Sequence, residues 1–216
     1  MRLNLMKQVR DNDIRFIVFD IDGTIKDLYK EHKAALIEAF KKLNIEKTIR
    51  AKLALWLNSF GMSFFKLGCL PTNSLMQNIL IWIMSIVTFK NYKELKRSYY
   101  LSYPEKSILF EDMKCQILSL PFEMDIILAS TNDYTLSTKH ELCNMFCVKE
   151  LKEKTYKTII QNINVPPSNI LVVGDNFFDD YLPAKRLGCK TCMVNMYNSK
   201  LKDIIITLTW ENPSSN

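Results

Sequence analysis

The chain has 216 residues, of which 48% are hydrophobic and 24% charged, and its formal net charge is +6. This balance is typical of a globular protein and excludes a disordered one, and the length allows one core domain with an insertion. The lysines are spread along the predicted helices instead of forming one block, so the sequence offers no support for nucleic-acid binding. The first residues lack the long apolar segment of a signal peptide, so we expect a cytoplasmic protein.

The first predicted strand delivers two carboxylates to its carboxyl end. Residues 15–24 read RFIVFDIDGT, in which 16–19 form the continuous apolar run expected of a strand buried on both faces of a parallel sheet. Asp20 and Asp22 follow two residues apart, so their side chains project from the same face of an extended chain. Open α/β sheets bind their ligands at this end of the strands. Gly23 then lets the chain turn without a side chain over the site.

A helical segment follows, with few strand signals. Helices are predicted at 33–43, 50–60, 75–89 and 92–100, with breaks near Asn44, Gly68 and Pro71. No charged residue occurs from 67 to 89, and 79–89 (ILIWIMSIVTF) is almost wholly apolar. Because this run is shorter than the ~20 residues of a membrane span, we expect a central helix of the segment. The alternatives for this run are an apolar substrate pocket, a dimer surface and loose membrane association.

Two later predicted strands also end in polar residues. Residues 125–132 read DIILASTN, and residues 170–180 read ILVVGDNFFDD. The polar residues at or after their ends are Ser130, Thr131, Asn132, Asp175, Asp179 and Asp180. Parallel strands place their carboxyl ends at one edge of a sheet, so these residues converge on the acidic pair of the first strand. Carboxylates bind Mg²⁺ and hydroxyls hold phosphoryl oxygens, so the edge suits a divalent cation beside a phosphate.

In chain order, these motifs resemble those of the haloacid dehalogenase superfamily. Residues 20–24 (DIDGT) match the family's D-x-D-G-T motif, and residues 174–175 match its Gly-Asp motif. The second motif, a hydroxyl residue closing an apolar strand, falls on Thr131, with Ser130 as the alternative. The Ser/Thr-Asn pairing common in the family favours Thr131, because Asn132 follows it.

The resemblance covers about residues 13–26 and 122–197. It implies an α/β fold, a three-layer Rossmann-like parallel sheet core with an inserted all-helical cap. The catalytic core would comprise residues 1–26 and 112–216, and the cap would comprise residues 27–111. Caps inserted at this place close over the active site and exclude water.

The third motif of the family is a lysine ahead of the helix that precedes the Gly-Asp strand. Of the four motifs, this one matches the sequence least well. Four lysines lie nearby: Lys149, Lys152, Lys154 and Lys157. Lys152 lies one turn ahead of Tyr156, where a helical apolar stripe begins, and this spacing favours it, with Lys154 second. The family's Lys-Pro pair is absent. By resemblance, Lys152 would bind the phosphoryl group together with Thr131 and Asn132.

The resemblance also implies roles for the acidic residues. Asp20 would be the nucleophile, and Asp22 the general acid and base. Mg²⁺ would be held by Asp20, the backbone carbonyl of Asp22, and Asp175. Asp180, or Asp179, would support the metal shell.

The paired cysteines are predicted to be buried, reduced thiols. Cys143 and Cys147 are four residues apart, and Cys189 and Cys192 form a C-x-x-C pair, which are spacings that zinc sites use. These pairs fall on elements of the predicted core, however, and the chain has only two histidines. Buried thiols fit a reducing compartment.

The resemblance thus implies a Mg²⁺-dependent hydrolase that removes phosphate from a small phosphorylated metabolite through an aspartyl-phosphate. We expect no nucleic-acid partner and no stable membrane span, and either a monomer or a homodimer. A phosphosugar mutase shares the cap and all four motifs, and a non-catalytic phospho-ligand-binding protein is the alternative from another class. Dehalogenation is disfavoured, because the family's dehalogenases lack an acid at the position of Asp22.

Overall fold

The computed structural model describes residues 5–11, 13–65, 74–104, 107–121, 124–132, 136–146, 148, 150–153 and 155–194. Its helices are α1 (Leu5–Asp11), α2 (Leu28–Lys42), α3 (Ile49–Phe65), α4 (Ser74–Thr88), α5 (Tyr92–Tyr100), α6 (Glu111–Leu118), α7 (Leu136–Phe146), α8 (Tyr156–Gln161) and α9 (Leu182–Arg186). Its strands are β1 (Phe16–Asp20), β2 (Asp125–Ser130), β3 (Glu150–Glu153), β4 (Ile170–Gly174) and β5 (Lys190–Met193). A 3₁₀ turn at Pro167–Asn169 and a π-helical turn at Phe177–Tyr181 flank β4.

The strands within these ranges form one five-stranded parallel sheet in the order β3-β2-β1-β4-β5. β1 lies in the middle and pairs with both β2 and β4. From β1 the chain builds outward through β2 to β3, and then returns to add β4 and β5 on the other side. This reversal lies between β1 and β4, and in open α/β sheets it marks the crevice where ligands bind.

Helices cover both faces of the sheet. Ile17 and Phe19 of β1 pack in one apolar cluster with residues of α1, α6 and α7, whereas Phe16 and Val18 pack in another with residues of α8 and α9. Successive side chains of a strand point to opposite faces, so a strand covered on both sides must be apolar at every position. The predicted α/β fold with a three-layer parallel sheet core is therefore confirmed.

Helices α2–α5, which we call the helical insertion, surround an apolar cluster of their own. α4 and α5 begin and end within one residue of the predicted helices. α2 begins at Leu28, five residues before its predicted start, because the Asp27 side chain accepts a hydrogen bond from the Lys30 backbone N–H and caps the helix. The predicted breaks at Gly68 and Pro71 lie outside the described residues. The predicted boundaries between cap and core stay a prediction.

None of the described helices has both the length and the hydropathy needed to cross a membrane. The apolar run at 79–89 lies mostly in α4, so the predicted helix is present, but it is not a central one. One side of α4 packs inside the insertion, whereas Trp82 and Ile86 on its other side are exposed.

Candidate active site

Three carboxylates meet at the carboxyl ends of β1 and β4. One side-chain oxygen from each of Asp20, Asp175 and Asp180 lies within 4.8 Å of the other two. The Asp20 and Asp180 side chains are almost fully buried. Buried carboxylates this close repel one another unless a cation lies between them, and oxygen ligands suit Mg²⁺. The donor set therefore fits a hard divalent cation.

Two glycines make this close approach possible. Gly23 has a φ of +94°, and a Cβ atom placed there would collide with the Asp175 carboxylate. A Cβ atom on Gly174 would overlap the Asp180 carboxylate. Because glycine has no side chain, each of these two positions leaves room for one carboxylate of the cluster.

Asp180 is held in place from two sides. The Tyr156 hydroxyl donates to Asp180 Oδ1 at 2.6 Å, and the Asn176 backbone N–H donates to Oδ2 at 2.9 Å. Burial, with the charge of Asp180 second, raises the pKa of Tyr156 well above its usual range, so its hydroxyl stays a donor. Asp179 lies outside the carboxylate cluster. Of the two residues that the sequence left open, the structure brings Asp180 to the site.

Asp22 lies beside this cluster in different surroundings. The Ser130 hydroxyl and the Asn132 side-chain amide each donate to Asp22 Oδ2 at 2.8 Å. The Lys26 ammonium lies 3.8 Å from Asp22 Oδ1. Asp20 instead accepts a hydrogen bond from the Thr24 hydroxyl at 2.8 Å. The two carboxylates of the first motif therefore differ in these hydrogen-bond donors.

Lys26 is a site residue that sequence reasoning missed. It is 6% exposed, and its Nζ lies 3.2 Å from Glu31 Oε2 as well as near Asp22. Burial raises the pKa of Glu31, and the Lys26 ammonium opposes that shift. Glu31 Oε1 also accepts from the Ile108 backbone N–H at 2.7 Å. A buried charge needs oppositely charged or hydrogen-bonding partners. Through Lys26 and Glu31, Asp22 is linked to the chain segments on both sides of the helical insertion.

The residues predicted to bind phosphate are placed differently. Thr131 is exposed just beyond β2, whereas the neighbouring Ser130 is buried and bonded to Asp22. The structure therefore gives the two adjacent hydroxyls different positions. The Asn132 side chain also reaches the site, where its amide donates a hydrogen bond to Asp22.

Lys152 is not brought into the acidic site. Its Nζ lies 2.9 Å from Glu150 Oε1. Both residues line a cleft together with Phe16 and Asp125, the first residues of β1 and β2, so the cleft lies toward the amino ends of the strands. The assignment of Lys152 stays a prediction, and this contact weighs against it. Lys154, the second candidate, lies outside the described residues.

None of the described cysteines forms a disulfide bond. Cys189 is buried, Cys143 and Cys192 are half-buried, and Cys115 is exposed. Burial raises the pKa of Cys189 to about 11, so it stays protonated at neutral pH. In the ranges that the structure describes, none of these cysteines belongs to a cluster of metal-ligating side chains. Cys147 lies outside those ranges.

Comparison with known protein families gives one sequence match. A family profile described as HAD-hydrolase-like matches residues 150–204, which include β3, α8, β4 and β5. No curated protein sequence matches the chain significantly.

Solved structures of the same fold cover most of the chain. YfnB from Bacillus subtilis, a proposed HAD-hydrolase bound to magnesium, has 15% identity and a TM-score of 0.56, covering 90% of this chain and 98% of its own. A predicted phosphoglycolate phosphatase from Haemophilus somnus 129PT has 15% identity and a TM-score of 0.56, covering 82% and 84%. A dehalogenase has 15% identity and a TM-score of 0.57, covering 95% and 99%. At these identities the likeness establishes the fold alone.

Proposed function

We propose that the chain is a hydrolase of the haloacid dehalogenase superfamily, a Mg²⁺-dependent phosphatase that acts through an aspartyl-phosphate on Asp20. The substrate would be a small phosphorylated metabolite, enclosed by the helical insertion as a cap. One observation carries this proposal: Asp20 lies within a three-carboxylate cluster, while Asp22 lies beside the cluster with its own hydrogen-bond donors. Two carboxylates in distinct surroundings can serve as nucleophile and as acid–base catalyst.

In the first half of the reaction, an Asp20 carboxylate oxygen attacks phosphorus and the bond between phosphorus and the leaving oxygen breaks. The Thr24 hydroxyl, 2.8 Å from Asp20 Oδ2, fixes the orientation of the nucleophile. Asp22 gives its proton to the departing alkoxide. Covalent capture on Asp20 divides one difficult displacement into two easier ones.

In the second half, Asp22 takes a proton from water as that water attacks phosphorus. The bond between Asp20 and phosphorus breaks, which releases phosphate and restores the Asp20 carboxylate. The donors on Asp22 from Ser130 and Asn132 hold its carboxylate in place for both transfers. This acid–base role separates the proposal from dehalogenation, because the family's dehalogenases lack an acid at this position.

Asp20 and Asp175 would hold Mg²⁺ with their side chains, and Asp22 with its backbone carbonyl. Asp180, positioned by Tyr156, would complete the acidic shell. The bound ion would screen the negative charges of the nucleophile and the phosphate from each other.

Release of phosphate from p-nitrophenyl phosphate tests the proposal. We expect turnover that requires Mg²⁺ and stops on addition of a chelator. A panel of phosphorylated metabolites, 2-phosphoglycolate among them, would then identify the substrate class. Isomerisation of phosphosugars without net phosphate release would favour the mutase. Phosphate-ligand binding with no turnover would favour the non-catalytic alternative.

The adjacent hydroxyls give a paired prediction. We expect Thr131→Val to lower kcat/KM by ~10²–10³, the typical effect of losing one donor to developing charge, with little change in stability because the side chain is exposed. Ser130→Ala removes a buried donor to Asp22 and should lower the free energy of unfolding by about 1–3 kcal/mol. Steady-state kinetics and thermal unfolding of both variants would check this. Unchanged kinetics in Thr131→Val would exclude that hydroxyl from phosphate binding.

The lysines give a second paired prediction. We expect Lys152→Ala to change kcat/KM only slightly, because its Nζ is paired with Glu150, which lies beside Ile127 in the middle of β2, and not with the carboxylate cluster. Lys154 directly follows β3 in the sequence, and we expect Lys154→Ala to lower kcat/KM by ~10²–10³. Lys157→Ala, an exposed lysine on α8, is the matched control. A large loss in Lys152→Ala with an unaffected Lys154→Ala would restore the assignment made from the sequence.

A further inference from the structure

Helices α3 and α4 expose two rows of large apolar side chains, which we call the hairpin face. Each row has a helical spacing that places its members on one side of its helix. The hairpin face consists of Ile49, Leu53, Trp56 and Phe60 on α3, with Ile79, Trp82, Ile86 and Phe89 on or next to α4. These residues are 41–82% exposed.

The two rows lie side by side. The start of α3 meets the end of α4, where the Arg50 guanidinium lies 4.1 Å from the centre of the Phe89 ring. Farther along, a Cβ atom on Gly61 would lie 3.2 Å from Leu80 Cδ2, so the helices run antiparallel in close contact. The rows therefore form one continuous apolar surface.

The other side of the hairpin is already occupied. Ala51 and Ala54 of α3 and Ile81 and Met84 of α4 are buried against α2 and α5. Every exposed position from 79 to 89 carries a large apolar residue, so α4 is apolar on both its inner and its outer side. A helix that is apolar all round is normally buried on all sides. The outer side of α4 thus lacks the cover that its composition requires within the described residues.

The size of the hairpin face matches one half of a protein interface. At 41–82% exposure, four aromatic side chains of ~150–250 Å² each and four smaller aliphatic ones leave roughly 700–900 Å² of apolar surface open to solvent. The largest apolar patch on a typical monomer is ~300–600 Å², whereas each partner of a standard interface buries about 800 Å². Tryptophan and phenylalanine are enriched in the centres of such interfaces, and lysine and acidic residues are depleted there.

We propose that the hairpin face is a homodimer interface, covered by the same face of a second copy of this chain. A two-fold axis through the middle of the face would lay one hairpin across the other in reversed direction. Arg50 and Lys52 lie at one end of the face, so this pairing sets them against the opposite end of the partner, where the described residues of α3 and α4 carry no charge. The cations of the two copies would then stay apart.

The placement of charge favours a second copy over a lipid surface. Helices that lie in a membrane interface carry a solvated polar side rich in lysine and arginine. Here the side opposite the hairpin face is the apolar cluster shared with α2 and α5. The pair of helices α3 and α4 is therefore apolar on both sides, as expected of helices that pack between two other structural elements.

Light scattering coupled to size-exclusion chromatography tests the proposal at micromolar protein concentration. We expect the wild-type chain to have twice the 25.3 kDa mass of one copy. Ile86→Glu places a charge within the face at a residue 51% exposed, and should give a monomer that keeps its helical circular dichroism. Leu118→Glu alters a residue 53% exposed on α6, away from the face, and should remain a dimer.

Trp82→Ala is a second variant that adds no charge, in case Ile86→Glu does not fold. It should raise the dimer dissociation constant about tenfold or more, as expected for a tryptophan at the centre of an interface. A wild-type monomer at every concentration would overturn the proposal. So would an Ile86→Glu dimer of wild-type strength. A monomer that co-sediments with phosphatidylglycerol vesicles would assign the face to a membrane instead.

Discussion

Asp20→Asn should abolish phosphate release while leaving the fold intact. An amide cannot attack phosphorus as a carboxylate does, so we expect a loss of ~10³ or more in kcat. Asn keeps an oxygen that can accept from the Thr24 hydroxyl, so the local geometry should persist. Removing one charge from three crowded carboxylates should also relieve repulsion, and the melting temperature should hold or rise. Steady-state kinetics and thermal unfolding of the purified variant would measure both effects.

Asp125→Asn is the matched control for this substitution. Asp125 is an exposed carboxylate at the amino end of β2, so the same chemical change there should leave turnover unaffected. Wild-type turnover in Asp20→Asn would remove Asp20 from the reaction and with it the proposed mechanism.

Asp175→Ala should lose Mg²⁺ affinity and activity together. The substitution removes one of the clustered carboxylates, and with it both a charge and a ligand oxygen. Calorimetric titration with Mg²⁺ would detect the loss of affinity, and the dependence of kcat/KM on Mg²⁺ concentration would detect the loss of activity.

Asp179→Ala is the control here, because Asp179 lies in the π-helical turn that follows Asp175 but outside the cluster. We expect it to bind Mg²⁺ and turn over substrate nearly as the wild type does. If Asp175→Ala and Asp179→Ala behaved alike, or if chelator left activity unchanged, the Gly-Asp motif would be a turn without a metal.

The three central strands of the sheet, β1, β2 and β4, could be predicted from the sequence because they are buried on both faces. Such strands must be apolar throughout, so the first polar residue marks where each one ends, as Asp20 and Asp175 do. Parallel pairing then brings these ends to one edge without further information. The start of α2 was set five residues too late, because Asp27 acts as its cap through a single side-chain hydrogen bond that helical periodicity does not reveal.

The finer contacts of the site were not predictable, because they depend on the direction of individual side chains. Ser130 and Thr131 are adjacent hydroxyls, and the sequence does not indicate that Ser130 is the one bonded to Asp22. Lys26 reads as an ordinary surface lysine, since its partner Glu31 is on a helix that begins after it. Lys152 was chosen by its spacing from α8, and spacing does not reveal the salt bridge to Glu150.

The most direct test of the account is chemical capture of the intermediate on Asp20. The enzyme would be quenched in acid during turnover of p-nitrophenyl phosphate, reduced with borohydride, and digested for tandem mass spectrometry. An aspartyl-phosphate is reduced to homoserine under these conditions, whereas a free carboxylate is not. We predict homoserine at position 20 in the wild type and its absence from enzyme incubated without substrate. An unmodified Asp20 in enzyme quenched during steady turnover, or homoserine at another aspartate, would contradict the account.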